Sequence, residues 1–190
     1  MNRLSNIILL FVLCAACVAA QTIDIRRPLF TAVYDLRLQS PRQVEWRLHR
    51  TDIGHARRDP SWLFVNDIPS PLATASNTDF INSGYDRGHL CPAQDRSYST
   101  TAMQSTFVLS NVSPQLPTVN RGSWKHTENV TRQLAQRYGT VDVVTVPVFL
   151  HRDTVFIGRH RLAVPHAFFK AVWLPSSDSV IACWFVFNHQ

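Results

Sequence analysis

Alternating apolar and polar positions predict β-strands toward both ends of the chain. A period of two residues is typical of a strand with one buried face, and a short apolar run between turn residues is typical of a fully buried strand. The predicted strands cover residues 30–38, 44–48, 106–110, 141–150, 167–174 and 180–187. Strands are therefore the most frequent element that the pattern predicts.

One stretch between these strands has the period of a helix. The pattern of residues 120–138 is helical, and Gly139 is a natural stop because glycine readily adopts the backbone that ends a helix. Residues 51–84 hold most of the turn-forming residues and predict a long loop, and Pro114 and Pro117 predict irregular chain. Long ordered loops tend to carry function. Strands, loops and one well-defined helix together predict an α+β domain.

The predicted helix carries an unusual polar stripe. Residues spaced by four lie along one helix face, and the stripe consists of Asn120, Trp124, Glu128 and Arg132. The apolar positions expected on the buried side are Val130, Leu134 and Tyr138. On its own the stripe favours a solvated face, where a Glu128–Arg132 pair would contribute about 0.3–0.5 kcal/mol.

Length and charge narrow the class of protein. The 190 residues fit one domain with a substantial core. The formal net charge is +6, and Lys125 and Lys170 are the only lysines among 19 basic residues. The remaining arginines suit bidentate contacts with phosphate. A polyanionic partner is therefore one interpretation, and a basic surface that only aids solubility is the other.

The first 20 residues have the pattern of a Sec-type signal peptide. Arg3 supplies a positive charge, residues 7–16 are apolar, and residues 18–20 form a small-residue cleavage site that ends at Ala20. We therefore expect a secreted or periplasmic protein with a single domain at residues 21–190 and no stable membrane association. Two cysteines remain in that domain, Cys91 and Cys183, which permit either one disulfide or two buried free thiols.

Three short blocks of polar residues carry the candidate chemistry. In the first, Gly84-Tyr85-Asp86-Arg87-Gly88-His89-Leu90, a titratable ring follows a glycine and lies beside an arginine. The second is Ser110-Asn111-Val112-Ser113-Pro114-Gln115, and the third is Asn120-Arg121-Gly122-Ser123-Trp124 with Glu128 and Arg132. These blocks resemble the DNA/RNA non-specific endonuclease family, which belongs to the ββα-metal nucleases. The likeness extends more loosely from about residue 30 to residue 187.

The resemblance implies a ββα-metal nuclease fold, with a central antiparallel sheet and a metal-binding strand–loop–helix element. It also implies roles for particular residues. His89 would be the general base that deprotonates water, and Asn120 would be the direct protein ligand of one divalent metal. A neutral amide oxygen with a shell of waters suits Mg²⁺, with Mn²⁺ as the alternative. Glu128 would hold one of those waters.

The remaining implied roles concern the phosphate and the support of the base. Arg87 and Arg132 would neutralise the scissile phosphate. An upstream arginine, Arg58 or its neighbour Arg57, would add to this charge, and we select Arg58. Asn111 carries over as an active-site residue, expected to orient His89 or the waters of the metal.

The expected function is cleavage of DNA and RNA with little sequence preference, because contacts with phosphates do not read base edges. Two other functions stay open at the level of sequence. One is a non-catalytic basic protein that binds nucleic acid, and the other is a phosphodiesterase that acts on small nucleotides. The oligomeric state is left open as well.

Overall fold

The computed structural model describes residues 22–150 and 154–189, and strands dominate both ranges. The strands are β1 (Thr22–Arg26), β2 (Thr31–Asp35), β3 (Ser40–His49), β4 (Asp86–His89), β5 (Val112–Gln115), β6 (Thr140–Val148), β7 (Phe156–Ile157), β8 (Leu162–Ala163), β9 (Ala167–Leu174) and β10 (Ser179–Phe187). The helices are α1 (Thr100–Gln104) and α2 (Trp124–Tyr138). Sheet and helix together confirm the predicted α+β class.

One six-stranded sheet organises the fold, in the order β1-β2-β3-β6-β9-β10, and all neighbours are antiparallel. Its centre is built from alternating apolar residues. Trp46 on β3 pairs with Val143 on β6, which pairs with Val172 on β9, and all three are buried. Each buried valine contributes about 1.5–3 kcal/mol. These three residues belong to the same hydrophobic core as the buried apolar residues of α2.

A small hairpin and the long helix form a separate ββα element. Strands β4 and β5 pair with each other, with His89 opposite Val112 and Asp86 opposite Gln115. A single π-helical turn, Val119–Ser123, then leads into α2. The helix ends where the pattern predicted, because Gly139 takes a φ of 87° that other residues rarely adopt.

The sequence pattern located most of the sheet but not the hairpin. Residues 167–174 are strand β9 as predicted, and β2, β3, β6 and β10 lie within a few residues of their predicted ranges. The strand predicted at residues 106–110 is wrong: this segment is buried, but it makes one isolated bridge, Val65 to Val108, and then a 3₁₀ turn. Pro114, expected in irregular chain, lies inside β5.

The expected buried side of α2 is also wrong. Tyr138 is exposed, whereas Trp124, Thr127, Thr131 and Ala135 are the buried residues of this helix. The face that contains Trp124 and Glu128 therefore turns toward the sheet. The polar residues of this face can turn inward because charged side chains from other segments lie opposite them.

Two further expectations concern the ends of the chain and its cysteines. The predicted signal peptide lies outside the described residues. Cys91 and Cys183 are both free thiols, with Cys91 buried and Cys183 exposed, so neither the disulfide nor the pair of buried thiols is found. Within the described ranges, we find no helix with the length and apolar character required to cross a membrane.

Candidate active site

His89 ends strand β4, and the residues around it explain the local sequence. Gly88 lies against the side chain of Gln115 on β5, so closely that a Cβ at position 88 would collide with it. Only glycine fits there without moving Gln115. On the helix side, the Trp124 indole Nε1 donates to the carbonyl oxygen of His89 at 3.1 Å. Hairpin and helix thus fix the backbone of His89 from two directions.

The His89 ring is held between two phenylalanines. Its centroid lies 4.9 Å from that of Phe64 and 4.7 Å from that of Phe107. Burial, together with the positive charge of Arg58, lowers the pKa of His89 to about 3. Nε2 of the ring is buried and has no hydrogen-bond partner among the described residues. The imidazole is therefore neutral at pH 7 and able to accept a proton.

Two arginines flank this ring stack. The Arg58 guanidinium lies over Phe107, 4.8 Å from the ring centroid, and that of Arg87 lies 5.9 Å from the centroid of Phe64. Both side chains are exposed. The loop at residues 51–84 thus brings Arg58 to His89, the position we selected from the sequence, and gives the site a positive rim.

Asn111 supports the backbone that follows His89. It is fully buried. Its Oδ1 accepts from the Cys91 backbone N–H at 2.8 Å, and its Nδ2 donates to the carbonyls of Cys91 at 2.9 Å and Thr106 at 3.1 Å. The amide is thereby committed to main-chain contacts. The side chain of Asn111 therefore supports the backbone at Cys91, and its own carbonyl oxygen accepts from the Leu90 N–H at 3.0 Å, directly after His89.

Asn120 lies in the π-helical turn and is oriented by Asp86. The Asn120 amide Nδ2 donates to Asp86 Oδ2 at 2.9 Å, and Arg121 binds the same carboxylate through two contacts of 2.8 and 2.7 Å. Partial burial opposes ionisation of Asp86, but the bonds from Arg121 and Asn120 hold its pKa below the usual value. Because Nδ2 is occupied, the orientation of Oδ1 is fixed, and we find no donor to this oxygen in the described ranges.

Glu128 and Arg132 meet a carboxylate that sequence reasoning did not identify. Asp95 is fully buried and accepts from Arg132 Nη1 at 2.8 Å and from Trp46 Nε1 at 3.0 Å. Burial, together with the nearby Asp95, raises the pKa of Glu128 to about 7, although Lys170 opposes this rise. Arg132 also donates to Asn129 Oδ1. Its guanidinium is thus held inside the fold, with its side chain 12% exposed.

The candidate site divides into two parts. Arg58, Arg87 and His89 form one group around the two phenylalanines, and Glu128 and Arg132 form another around Asp95, with Asn120 on the turn before the same helix. The residues that sequence reasoning missed are Phe64, Asp86, Asp95, Phe107, Trp124 and Lys170. Asp86 stands in the first block and Trp124 in the third, so both were available as signals. Lys170 ends the segment Pro165-His166-Ala167-Phe168-Phe169-Lys170, which belongs to the looser family likeness, whereas Asp95 has no motif around it. Across the two described ranges, no three His, Cys, Asp or Glu side chains form a metal-binding group.

Comparison with known proteins defines the class. The model of the family described as DNA/RNA non-specific endonuclease matches residues 17–190. The chain belongs to this family, as the three sequence blocks indicated. The chain is also similar to a solved structure of the EndoG/EndoGI complex, which concerns the mechanism of EndoG inhibition. The two align with a TM-score of 0.76 at 28% identity, over 87% of this chain and 74% of that one. The ββα-metal nuclease fold is thereby confirmed.

Two curated relatives show the extent of the likeness. Endonuclease G, mitochondrial, from Bos taurus is 33% identical over 165 residues, 82% of this chain and 55% of that protein. Nuclease EXOG, mitochondrial, from Danio rerio is 33% identical over 177 residues, 83% of this chain and 52% of that protein. The chain therefore spans about half the length of these relatives.

The names of these relatives correct one expectation. We expected a secreted or periplasmic protein from the first 20 residues. The bovine and zebrafish relatives are both named as mitochondrial, and this finding contradicts that location. The expectation depended only on an apolar stretch with a positive charge nearby. That composition did not identify the compartment.

Proposed function

We propose that this chain is a metal-dependent endonuclease that hydrolyses phosphodiester bonds in both DNA and RNA. One observation carries the proposal. A neutral histidine, His89, with no hydrogen-bond partner on its buried Nε2 in the described ranges, lies between two exposed arginines on the ββα element that also bears Asn120. A proton acceptor beside phosphate-binding charges is what hydrolysis of a phosphodiester requires.

His89 acts as the general base for the attacking water. In the free protein, its pKa is too low for strong basicity, because of burial first and then the charge of Arg58. A bound phosphate would place a negative charge beside Arg58 and oppose that second effect. Substrate binding therefore raises the basicity of His89, so that the base is strongest when a phosphodiester is present.

Asn120 is the proposed ligand of the divalent metal. Its Oδ1 accepts no hydrogen bond from the described residues, and the contact between Asp86 and Nδ2 fixes the direction of this oxygen. Such an oxygen fits Mg²⁺, which binds oxygen ligands and retains several waters, and Mn²⁺ is the alternative. Bound there, the metal would supply positive charge to the phosphate and the leaving oxygen. Glu128, on α2 just after the turn that carries Asn120, would hold one of the waters.

Arginines complete the electrostatic environment of the phosphate. Arg58 and Arg87 are exposed, and apart from the bond from Arg87 to Asn77 their donors can form charge-assisted bonds with phosphate oxygens. Arg132 uses some of its five N–H donors on Asp95 and Asn129 and contributes the remaining ones to the phosphate. None of these groups reads a base edge, so little sequence preference follows.

The test is cleavage of plasmid DNA and of a long RNA by the purified protein. We expect both to be degraded with Mg²⁺ or Mn²⁺ and neither with EDTA. His89→Ala should lower the turnover rate by about 10²- to 10⁴-fold, the usual contribution of a general base. Asn120→Ala should require far more metal for half-maximal rate.

A matched histidine variant controls for general effects of the substitution. His55 is exposed and lies outside the proposed machinery, so His55→Ala should retain wild-type cleavage. If the wild-type protein leaves both polymers intact across a wide range of enzyme and metal concentrations, the proposed function is wrong. Full activity in His89→Ala would instead exclude His89 as the base.

A further inference from the structure

Lys170 occupies a core position in the middle of strand β9. Strand β9 alternates inward through Phe168, Lys170 and Val172, and all three side chains are fully buried. A lysine at such a position is rare, because an ammonium ion loses its hydration when buried. Something inside the fold must therefore compensate for its charge.

The nitrogen of Lys170 has no hydrogen-bond partner among the described residues. It lies over two indole rings instead, 4.2 Å from the ring centroid of Trp124 and 5.8 Å from that of Trp46. The face of an indole attracts a cation, and the attraction reaches about 2 kcal/mol when the cation is desolvated. Two tryptophans do not replace the hydration of an ammonium ion, so further compensation is required.

Other segments bring two carboxylates into this interior, together with a second cation and an uncharged thiol. Glu128 and Arg132 come from α2, Asp95 from the turn at Ala93–Arg96, and the buried thiol of Cys91 from the segment after β4. With both carboxylates ionised, the set including Lys170 holds two negative and two positive charges. Asp95 already binds Arg132 and Trp46, whereas the Glu128 carboxylate makes no side-chain hydrogen bond among the described residues. Glu128 lies one helical turn after Trp124, on the helix face that meets Lys170. No direct ion pair joins the two side chains, so Glu128 is the nearby carboxylate left to balance Lys170 across a longer distance.

The geometry points to Lys170 as a positioning residue of the cleavage site, a buried ammonium ion seated on Trp124 that is the counter-charge of Glu128. This inference rests on the proposed function, since it deepens the role of Glu128. Neither residue is a proposed direct ligand of the metal. Burial lowers the pKa of Lys170, and Glu128 and then Asp95 oppose that change, as expected of a cation that depends on internal carboxylates.

The charge state of Lys170 can be measured directly, because the chain contains only two lysines. Labelling with ¹³C,¹⁵N-lysine gives one set of side-chain NMR signals for exposed Lys125 and one for Lys170, shifted by the indole ring. We expect Lys170 to be an ammonium ion at pH 7 in the metal-free wild type. In Glu128→Gln it should lose its proton at a lower pH. A neutral amine at pH 7 in the wild type, or the same titration in both proteins, would overturn the inference.

A second experiment measures the effect on the site. Lys170→Met retains the length of the side chain and removes its charge, and Lys125→Met is the matched control at an exposed position on α2. We expect Lys170→Met to weaken Mn²⁺ binding by about 10-fold or more, the usual effect of losing a group that supports a metal site. Lys125→Met should bind Mn²⁺ nearly as the wild type does. Free Mn²⁺ is followed by electron paramagnetic resonance without nucleic acid.

A double-mutant cycle separates this role from simple packing. If Lys170 acts through Glu128, then adding Lys170→Met to Glu128→Gln costs little further Mn²⁺ affinity. Independent, additive losses would contradict the inference, and so would unchanged affinity in Lys170→Met. Should Lys170→Met not fold, the NMR titration of the wild type and Glu128→Gln still decides. A wild-type protein that fails to cut nucleic acid refutes the proposed function alone, since neither readout depends on cleavage.

Discussion

The side-chain amide of Asn120 donates to Asp86 Oδ2 at 2.9 Å, so a residue of the hairpin fixes the orientation of a residue in the turn before α2. Asp86→Asn keeps the shape of the side chain but removes the negative charge, which binds Arg121 and accepts the hydrogen bond from the Asn120 amide. We expect a 10- to 100-fold loss of Mn²⁺ affinity, roughly the cost of removing a group that orients a ligand. Calorimetric titration of the metal-free protein measures it. Wild-type affinity in Asp86→Asn would show that Asn120 needs no such support.

The contact between Gly88 and Gln115 makes a prediction about stability. A methyl group at position 88 would collide with the Gln115 side chain, and overpacking of this kind costs about 1–3 kcal/mol. Gly88→Ala should therefore unfold at a lower urea concentration. Gly122→Ala is the matched control, because nothing lies within 4 Å of its added Cβ, and it should be neutral or slightly stabilising. Equal midpoints for the two variants would argue against the close contact.

Stability should depend on pH through His89. The pKa of His89 is about 3 in the folded protein, compared with 6.5 for an unperturbed histidine in the unfolded chain. Between these two pH values, the unfolded chain therefore binds one proton more than the folded protein. Folding is therefore weakened as pH falls from 6.5 toward 3. His89→Gln should flatten this decline in urea midpoints measured with EDTA. A decline as steep as that of the wild type would mean that His89 titrates normally.

Glu128 should make the free energy of unfolding depend on pH in the direction opposite to His89. Its pKa is raised from 4.5 to about 7, so between these values the folded protein binds the extra proton. The contribution of this group to stability is present at pH 4.5 and is lost as pH rises through 7. In Glu128→Gln, the metal-free protein should lose less stability over this interval than the wild type. Urea midpoints at pH 4.5 and 7.5 test this, and an identical change in both proteins would contradict it.

Neighbouring arginines offer a matched test of the positive rim. Arg58 lies over Phe107 and lowers the pKa of His89, and no such contact is found for Arg57 in the described ranges. Arg58→Ala should reduce kcat/KM on plasmid DNA by about 10- to 100-fold, as expected for the loss of a charged hydrogen bond. Arg57→Ala should change it by less than about 3-fold, like other exposed charges. The reverse order would assign the upstream role to Arg57.

The sheet was largely predictable, because its strands follow a period of two that is set by burial on one face. β9 and the end of α2 at Gly139 are the clearest cases. The hairpin was not predictable in the same way. Strand β4 reads Asp86-Arg87-Gly88-His89 and has no apolar residue, so its conformation depends on pairing with β5 and on packing against α2.

The charged interior of the site shows a second limit. From local sequence, Glu128 and Arg132 are an ordinary surface pair, and an outward orientation is the natural expectation. Their partners, Asp95 and Lys170, lie more than thirty positions away in the chain, and no local pattern links them. The motif could single out His89 and Asn120 as candidates, while the charged cluster around Glu128 became visible only in the three-dimensional fold.

The different surroundings of the two free thiols have a practical consequence. Burial raises the pKa of Cys91 to about 12, whereas Cys183 is exposed on β10. Because the thiolate is the reactive form, a maleimide should modify Cys183 and spare Cys91. Strand β10 lies at the edge of the large sheet, on a different element from the ββα unit. In a protein whose Cys14 and Cys17 have been replaced, a fluorophore or surface tether attached to Cys183 would hold single molecules at one defined point of the described fold.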